Sequence, residues 1–377
     1  MEYFPSLFPR RSIIFLLAWL SLTVCANAQT VSNSTDQSWT VTKVVKGPGA
    51  PLRITEKYTK SGNKTQCERT DELLGPDGYR PSLYIETETV QEDAATTRSV
   101  EHSYRPDANG QKQLAQVTEE EAKALPNGDS NVVRTTSKPT PGGDLQIVER
   151  EDVETIKGGA DSQETKSTTY RSSREGKISD TLAPVRQTDE RRKRGDNDHI
   201  ETTKTTKWVD SGNGGLKLAE MSEKVVKEEG EHRNSEENVW LPDANGNLSE
   251  VSQTVVRDTQ SQGRNVQTAE TYSIDVPGKA RDGQLHLVQR VTSVQSGDAG
   301  RATTEQQMEQ IDPVGLDLKV MTKISDVVTS GPAGSEETKT TRVRNADGTF
   351  SVSAVETTNS DKPPATETHS SPSKKSQ

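Results

Sequence analysis

Residues Trp240–Glu250 read WLPDANGNLSE, and this stretch decides how the rest of the chain is read. Pro242 fixes its own φ, the short side chains of Asp243 and Asn245 bond back to nearby backbone, and Gly246 accepts a positive φ without steric cost. A loop of about three residues ending on a left-handed residue is a common way to join two antiparallel strands. Side chains alternate along a strand, so Trp240 faces either Leu248 or Glu250 across such a hairpin. The stretch predicts a β-hairpin whose aromatic residue pins the register.

The arrangement recurs. Tyr104–Leu114 reads YRPDANGQKQL, Tyr170 precedes Gly176 and Ile178 in the same way, and looser versions occupy Asp312–Leu316 and Asn345–Phe350. Turn glycines at Gly78, Gly110, Gly143, Gly176, Gly215, Gly246, Gly283, Gly315 and Gly348 are spaced by roughly 33 residues, the mark of a repeat array. A second set of turn residues lies about midway, as at Pro126–Asp129, Lys157–Asp161 and Ser330–Gly334. Breakers at roughly 16-residue intervals suit strands and leave no room for long helices. Between them, Thr-rich runs such as Glu201–Thr206 and Glu337–Thr341 favour a pleated surface over a helix.

Hydrophobic residues make up 28% of the chain, against ~45–50% for globular domains, so no thick core can be built. In strict alternation Leu145, Ile147, Glu149, Glu151 and Val153 share one face of a strand, and charge falls mid-strand on both faces. A lipid-facing barrel needs one apolar face, so an outer-membrane barrel is disfavoured. The expected fold is all-β: an elongated antiparallel meander of about nine hairpin repeats of ~33 residues, about 18 strands in all. It is a single-layer twisted sheet or an open superhelix or barrel, its two exposed edges protected by Lys and Glu.

Residues 1–28 read as a signal peptide. Arg10 and Arg11 precede the apolar run Ile13–Cys25, and Ala26-Asn27-Ala28 supplies small residues for cleavage near Ala28-Gln29. A lipoprotein signal at Cys25 ranks second, because Val24 stands where a small residue is wanted. Residues 29–38 are expected to form a flexible arm, 39–358 the β-hairpin repeat domain and 359–377 a disordered polar tail. The apolar run falls short of the ~20 residues of a spanning helix, so no membrane span is expected in the mature chain. The protein is expected to be secreted, periplasmic or on the cell surface.

Chemistry-bearing residues are sparse. His102, His199, His232, His286 and His369 show no metal-ligand spacing. Asp243, Asn245 and Asn247 imitate the opening of a calcium loop, but Leu248 stands where its glycine belongs and Thr254 where its bidentate Glu belongs. Cys67 has no histidine near it in sequence, and no nucleophile elbow or phosphate loop occurs. No enzymatic activity, cofactor or metal is expected. A formal charge of −10 disfavours nucleic acid as a partner.

The fragment Asp243–Leu248 resembles the turn of the tyrosine–aspartate (RHS-type) repeats of secreted shells, with Pro106 and Pro242 where that family carries tyrosine. The resemblance implies hairpin-array logic and nothing about a shell or a toxin. Two sets of residues stand out as candidate surfaces: the aromatic row Tyr104, Tyr170, Trp208, Trp240 and Tyr272, and an exposed basic loop at Arg191, Arg192, Lys193 and Arg194. The expected function is an exported, non-enzymatic structural or interaction scaffold. The alternative is a glycan-binding surface that uses the aromatic row. The partner is expected to be an unidentified protein or polysaccharide.

Overall fold

The turn at Asp243 folds as its residues dictate. The Asp243 N–H donates to the Asn247 carbonyl (2.8 Å) and the Gly246 N–H to the Asp243 carbonyl (3.0 Å). Asp243 Oδ1 accepts from the N–H groups of Asn245 (2.7 Å) and Asn247 (2.9 Å), and Gly246 sits at φ 83°. The turn of Asp107–Gln111 repeats these bonds, with Gly110 at φ 79°. These interactions belong to a computed structural model that describes residues 37–361, apart from 48, 160, 173–181, 196–198, 231, 262–263, 299, 313–316 and 332–333. The signal segment, Cys25, most of the N-terminal arm, Gly176, Ile178, Gly315 and the tail beyond residue 361 lie outside the described residues.

Twenty strands follow one another. The first five are β1 (Gln37–Lys46), β2 (Leu52–Ser61), β3 (Lys64–Gly75), β4 (Gly78–Gln91) and β5 (Thr96–Pro106). Next come β6 (Lys112–Ala124), β7 (Ser130–Pro139), β8 (Leu145–Lys157), β9 (Ser162–Ser172) and β10 (Leu182–Arg194). Then follow β11 (Ile200–Asp210), β12 (Leu216–Glu229), β13 (His232–Pro242), β14 (Leu248–Ser261) and β15 (Arg264–Ser273). The last are β16 (His286–Gly297), β17 (Arg301–Ile311), β18 (Leu318–Gly331), β19 (Gly334–Arg344) and β20 (Phe350–Ser360). Each pairs antiparallel with its neighbours in sequence, as the hairpin repeats predict.

The ends of the meander meet. β1 pairs with β20, placing Lys43 opposite Thr358 and Val44 opposite Thr357, so Gln37–Ser360 forms a closed 20-stranded barrel. This corrects the expectation of an open sheet or superhelix. An open sheet leaves two rows of unpaired N–H and C=O groups, and pairing its first strand with its last satisfies both. Connections from odd to even strands, where the turn glycines stand, lie at one end. Even-to-odd connections, and the N-terminus of β1 and C-terminus of β20, lie at the other.

Nine of the odd-to-even hairpins carry a β-bulge shortly above the turn, with the extra residue on the even strand. Ala115, Val148, Ala219, Val251 and Val288 are examples. Each bulge reverses the side-chain alternation along its strand. Ile147 therefore pairs with Ser137 and Glu149 with Thr136, neighbouring residues that point to opposite faces. The single face expected for Leu145, Ile147, Glu149 and Glu151 is corrected in the same way.

Curvature crowds side chains on the concave side of a closed wall, and the two faces differ accordingly. Along β8, Glu149, Glu151, Val153 and Thr155 on one face are half-buried, and Arg150, Glu154 and Ile156 on the other are exposed. The Arg69–Glu56 pair stands on the first face and Arg98–Glu119 on the second. The first face lines the lumen. Among the described residues only Val117, Val226 and Val276 are buried apolar side chains. The backbone ladder and cross-strand pairs, rather than a core, hold the wall.

Candidate functional site: the lumen and one rim

Twenty strands about 4.8 Å apart and tilted by about 40° give a backbone circumference of ~125 Å and a diameter of ~40 Å. The face turned into this space mixes polar side chains with Val and Ile, as at Ile54, Ile85, Val256 and Val291. Ion pairs lie on it at Lys43–Glu356 (2.6 Å), Arg134–Glu120 (2.6 Å), Arg134–Glu151 (3.3 Å) and Lys207–Glu220 (2.6 Å). Thr87, Ser99, Thr118, Thr136, Ser167 and Thr205 share it by register.

The outer face is charged at mid-height, through pairs such as Lys64–Glu88 (2.9 Å), Lys204–Glu223 (3.4 Å) and Arg257–Glu270 (3.0 Å). Ile156 and Ile200 lie exposed on it toward the opposite rim, and further apolar residues stand on it toward the glycine-turn rim. The five aromatic residues singled out in sequence all lie there, on the outer face, because the strand register carries them to one side. Tyr104 faces Leu114, Trp208 faces Leu218, and Tyr272 faces Leu287. Trp240 faces Glu250. Tyr170 faces Pro184, and Ile178, its expected partner, lies outside the described residues. All five are half-buried. Tyr84, which the repeat pattern did not single out, joins them opposite Tyr104. Lys112 Nζ stands 4.8 Å from the Tyr84 ring centroid and 5.6 Å from that of Tyr104.

Arg191, Arg192, Lys193 and Arg194 do not form a loop. They end strand β10, where alternation divides them between the two faces. On the outer face Arg191 meets Glu164 (3.1 Å), and on the inner face Arg192 meets Glu201 (2.5 Å). Facing acidic partners on β9 and β11 let a basic run lie in a sheet. The sequence rule that equates a charge run with a loop misses this.

Several other polar groups are accounted for locally. The Asp243 carboxyl is held below its ordinary pKa by the N–H groups of Asn247 and Asn245, so its oxygens serve the turn. The Asp282 carboxyl is lowered by the Gln284 N–H, then by Lys279 and His286, whose Nε2 is 2.8 Å from Oδ2. Cys67 forms no disulfide and pairs across the sheet with Tyr58 and Thr87. Among the described residues no cluster of three or more His, Cys, Asp or Glu side chains is placed to hold a metal. A hollow of about 540 Å³ beside the Asp243 turn, lined by Val209, Lys217, Leu218, Leu241 and Pro242, is open to solvent.

No protein-family model and no curated protein matches the chain. Solved structures similar to it include a porin. Pseudomonas aeruginosa OccK9 (OpdG) matches at 8% identity over 88% of this chain and 99% of that one, with a TM-score of 0.47. A BenF-like porin from Pseudomonas fluorescens Pf-5 matches at 8% identity over 86% and 97%, TM-score 0.42. Salmonella typhi OmpF in complex with daunomycin matches at 9% identity over 87% and 98%, TM-score 0.38. Likenesses this low carry no functional weight. The barrel rests on its own strand pairing.

That pairing corrects three expectations. A closed wall has no sheet edges along which to build an interaction scaffold or a row of edge aromatics for glycans, so both functional expectations fall, with the protein or polysaccharide partner they implied. The absence of a membrane span was argued from helix length. A barrel crosses with strands, so that expectation is withdrawn. The description of a secreted repeat scaffold gives way to that of a closed barrel.

Proposed function

We propose that this protein is a wide aqueous conduit of the cell envelope, passing small hydrophilic solutes without chemical change. The observation that carries this reading is the β1–β20 pairing, which turns a polar sheet into a tube with a hydroxyl- and ion-pair-lined lumen. An 8-stranded barrel fills its interior with side chains, and barrels of 16–18 strands leave a water channel. In this reading the lumen binds nothing tightly: inner-face cations such as Arg134 already face Glu120 and Glu151, and the hollows beside Asp243 and His232 are open to solvent, where a reacting group would stay hydrated. The protein is accordingly a conduit and not an enzyme, exported to the envelope.

Single-channel recording in planar bilayers tests this. The expected result is stepwise, ohmic conductance that does not saturate with salt. Bilayers that stay silent after addition of protein with a native β-type circular dichroism spectrum would overturn it.

A further inference from the structure

Like charges directly opposite each other destabilise a sheet unless something neutralises them. Arg191 and Lys204 are opposed in this way on the outer wall, and each has its own carboxylate, Glu164 at 3.1 Å and Glu223 at 3.4 Å. Lys323 on β18 and Arg342 on β19 are also opposed on that wall, with Arg344 next on the same face. Among the described residues none of these three has a carboxylate within 4 Å. The carboxylates around them serve elsewhere. Glu305 and Glu309 flank Gln307, which faces Lys323. Glu305 accepts from the Ser325 hydroxyl (2.7 Å) and Glu309 pairs with Arg290 (3.4 Å). Asp347, at the β19–β20 turn, accepts from the N–H (2.9 Å) and hydroxyl (2.7 Å) of Thr349. Lys323 Nζ lies 4.6 Å from the Phe350 ring centroid, a contact that leaves its charge uncancelled. Beside this cluster the wall loses its charge. Along the outer face of β20, from Phe350 to Asn359, no residue is charged, and on β1 only Lys46 is, at the end nearest the cluster. Val352 is 57% exposed, and from it the uncharged strip runs for about 20 Å toward the opposite rim.

We propose that Lys323, Arg342 and Arg344 hold the phosphate of one anionic lipid, whose acyl chains lie along the seam strip of β20 and β1. The proposal rests on the conduit reading, in which the wall crosses a bilayer with its strands and lipid lies against it. Guanidinium forks match phosphate oxygens and form charge-assisted hydrogen bonds with them, and clustered Lys and Arg beside a bilayer attract anionic headgroups. A free phosphate would account for the cations but not for the uncharged strip that begins beside them. A second copy of this chain would have to bring carboxylates free to meet them. On the outer wall Glu88, Glu164, Glu223 and Glu270 already have cations within 3.4 Å. A lipid carries both halves of the match, a charged head and an uncharged body.

Native mass spectrometry of the full chain in detergent resolves single binding events. The protein is titrated with phosphatidylglycerol, with phosphatidylcholine and with inorganic phosphate. The expected result is one preferred phosphatidylglycerol per chain, bound about tenfold or more tightly than phosphatidylcholine, with no inorganic phosphate retained. Combining Lys323→Gln, Arg342→Gln and Arg344→Gln is expected to weaken that binding about tenfold or more. A control with Lys193→Gln, Lys227→Gln and Arg264→Gln removes as much charge from the outer face near the opposite rim. It should stay within about twofold of wild type. Undiminished phosphatidylglycerol binding in the first variant would overturn the site, and so would an equal loss in the control. Equal affinity for the two lipids on the wild-type chain would overturn it without any variant. Retention of inorganic phosphate in place of lipid, or a dimer that the substitutions abolish, would give the cluster a different occupant and overturn it too. Circular dichroism confirms that both variants fold. The readout needs no open lumen, so the conduit reading fails separately, on conductance.

Discussion

Trp240 faces Glu250 across the β13–β14 hairpin, and Val251, the next residue, has no partner on β13. Val239 instead meets Ser252. This unpaired residue sends the rim side of β14 outward and returns the rest of the strand to its own alternation. Deleting Val251 forces one of the two halves onto the wrong face, because a one-residue slip inverts every side chain beyond it. The expected outcome is a lower thermal midpoint and a weakened β-type circular dichroism spectrum. An unchanged spectrum and thermal midpoint would show that the bulge does not set the face.

Closure is testable at the seam. Val44 and Thr357 stand directly opposite, and opposed residues in a ladder have Cβ atoms about 4.5–5.5 Å apart, within reach of a disulfide after small adjustment. Val44→Cys with Thr357→Cys is expected to form an intramolecular disulfide on mild oxidation, seen as a faster band that dithiothreitol reverses. In an open sheet of this many strands the same two residues would lie ~90 Å apart, and no such band would form.

The seam also carries the Lys43–Glu356 pair at 2.6 Å, about a third exposed. Partial exposure limits its worth to about 1 kcal/mol or less. Lys43→Glu is expected to lower the unfolding midpoint in denaturant, and adding Glu356→Lys is expected to recover most of the loss. A double variant as unstable as the single one would exclude a charge interaction across the seam.

Gly246 holds φ 83° and Gly110 φ 79°. Alanine at either position is expected to cost about 1–2 kcal/mol, the penalty of a left-handed backbone for a residue with Cβ. Gly215 makes the control: its added Cβ would meet only Ser211 Oγ at 3.8 Å, and its φ lies outside the left-handed range, so Ala there should fall within about 0.5 kcal/mol of wild type. Equal effects at Gly246 and Gly215 in guanidinium titrations would remove the conformational explanation.

Acid should loosen the turns. The carboxyls of Asp243, Asp298 and Asp347 are lowered in the folded chain, the first two mainly by backbone N–H groups and Asp347 by the Thr349 hydroxyl and N–H. A lowered folded pKa contributes stability above the ordinary carboxylate pKa of ~4, and that stability is lost as pH falls toward the folded value. The urea midpoint is expected to drop between pH 5 and pH 3. Asp243→Asn, which keeps an acceptor oxygen without the charge, is expected to narrow that drop. A midpoint drop of the same size in the variant would place the pH dependence elsewhere.

Much of the local structure was legible in the residues. The WLPDANG hairpin, its copy at Tyr104–Leu114 and the roughly 33-residue spacing point to antiparallel pairs, and they formed with the expected turn bonds. Cross-strand contacts of Tyr104 with Leu114, and of Trp240 with one of its two possible partners, followed from counting outward from a glycine. The basic run Arg191–Arg194 is exposed, as expected, but it was misread as a loop because Glu164 and Glu201, the partners that let it lie in a sheet, stand on other strands. The faces of Leu145–Ile156 were misread because strict alternation has no place for an unpaired Val148.

Turn chemistry and strand period are local properties, set by backbone sterics within a few residues, and the sequence by itself determined them: an antiparallel hairpin array too poor in apolar residues to bury a core. Tertiary structure alone decided that β1 meets β20, which residue of each hairpin bulges, and which face looks inward. Closure depends on twist and shear accumulated over all twenty strands, a sum to which no single repeat contributes visibly. In WLPDANGNLSE the turn is written out in full. That its tryptophan stands on the outer face, in a row with Tyr104, Trp208 and Tyr272, became visible only once the wall had closed.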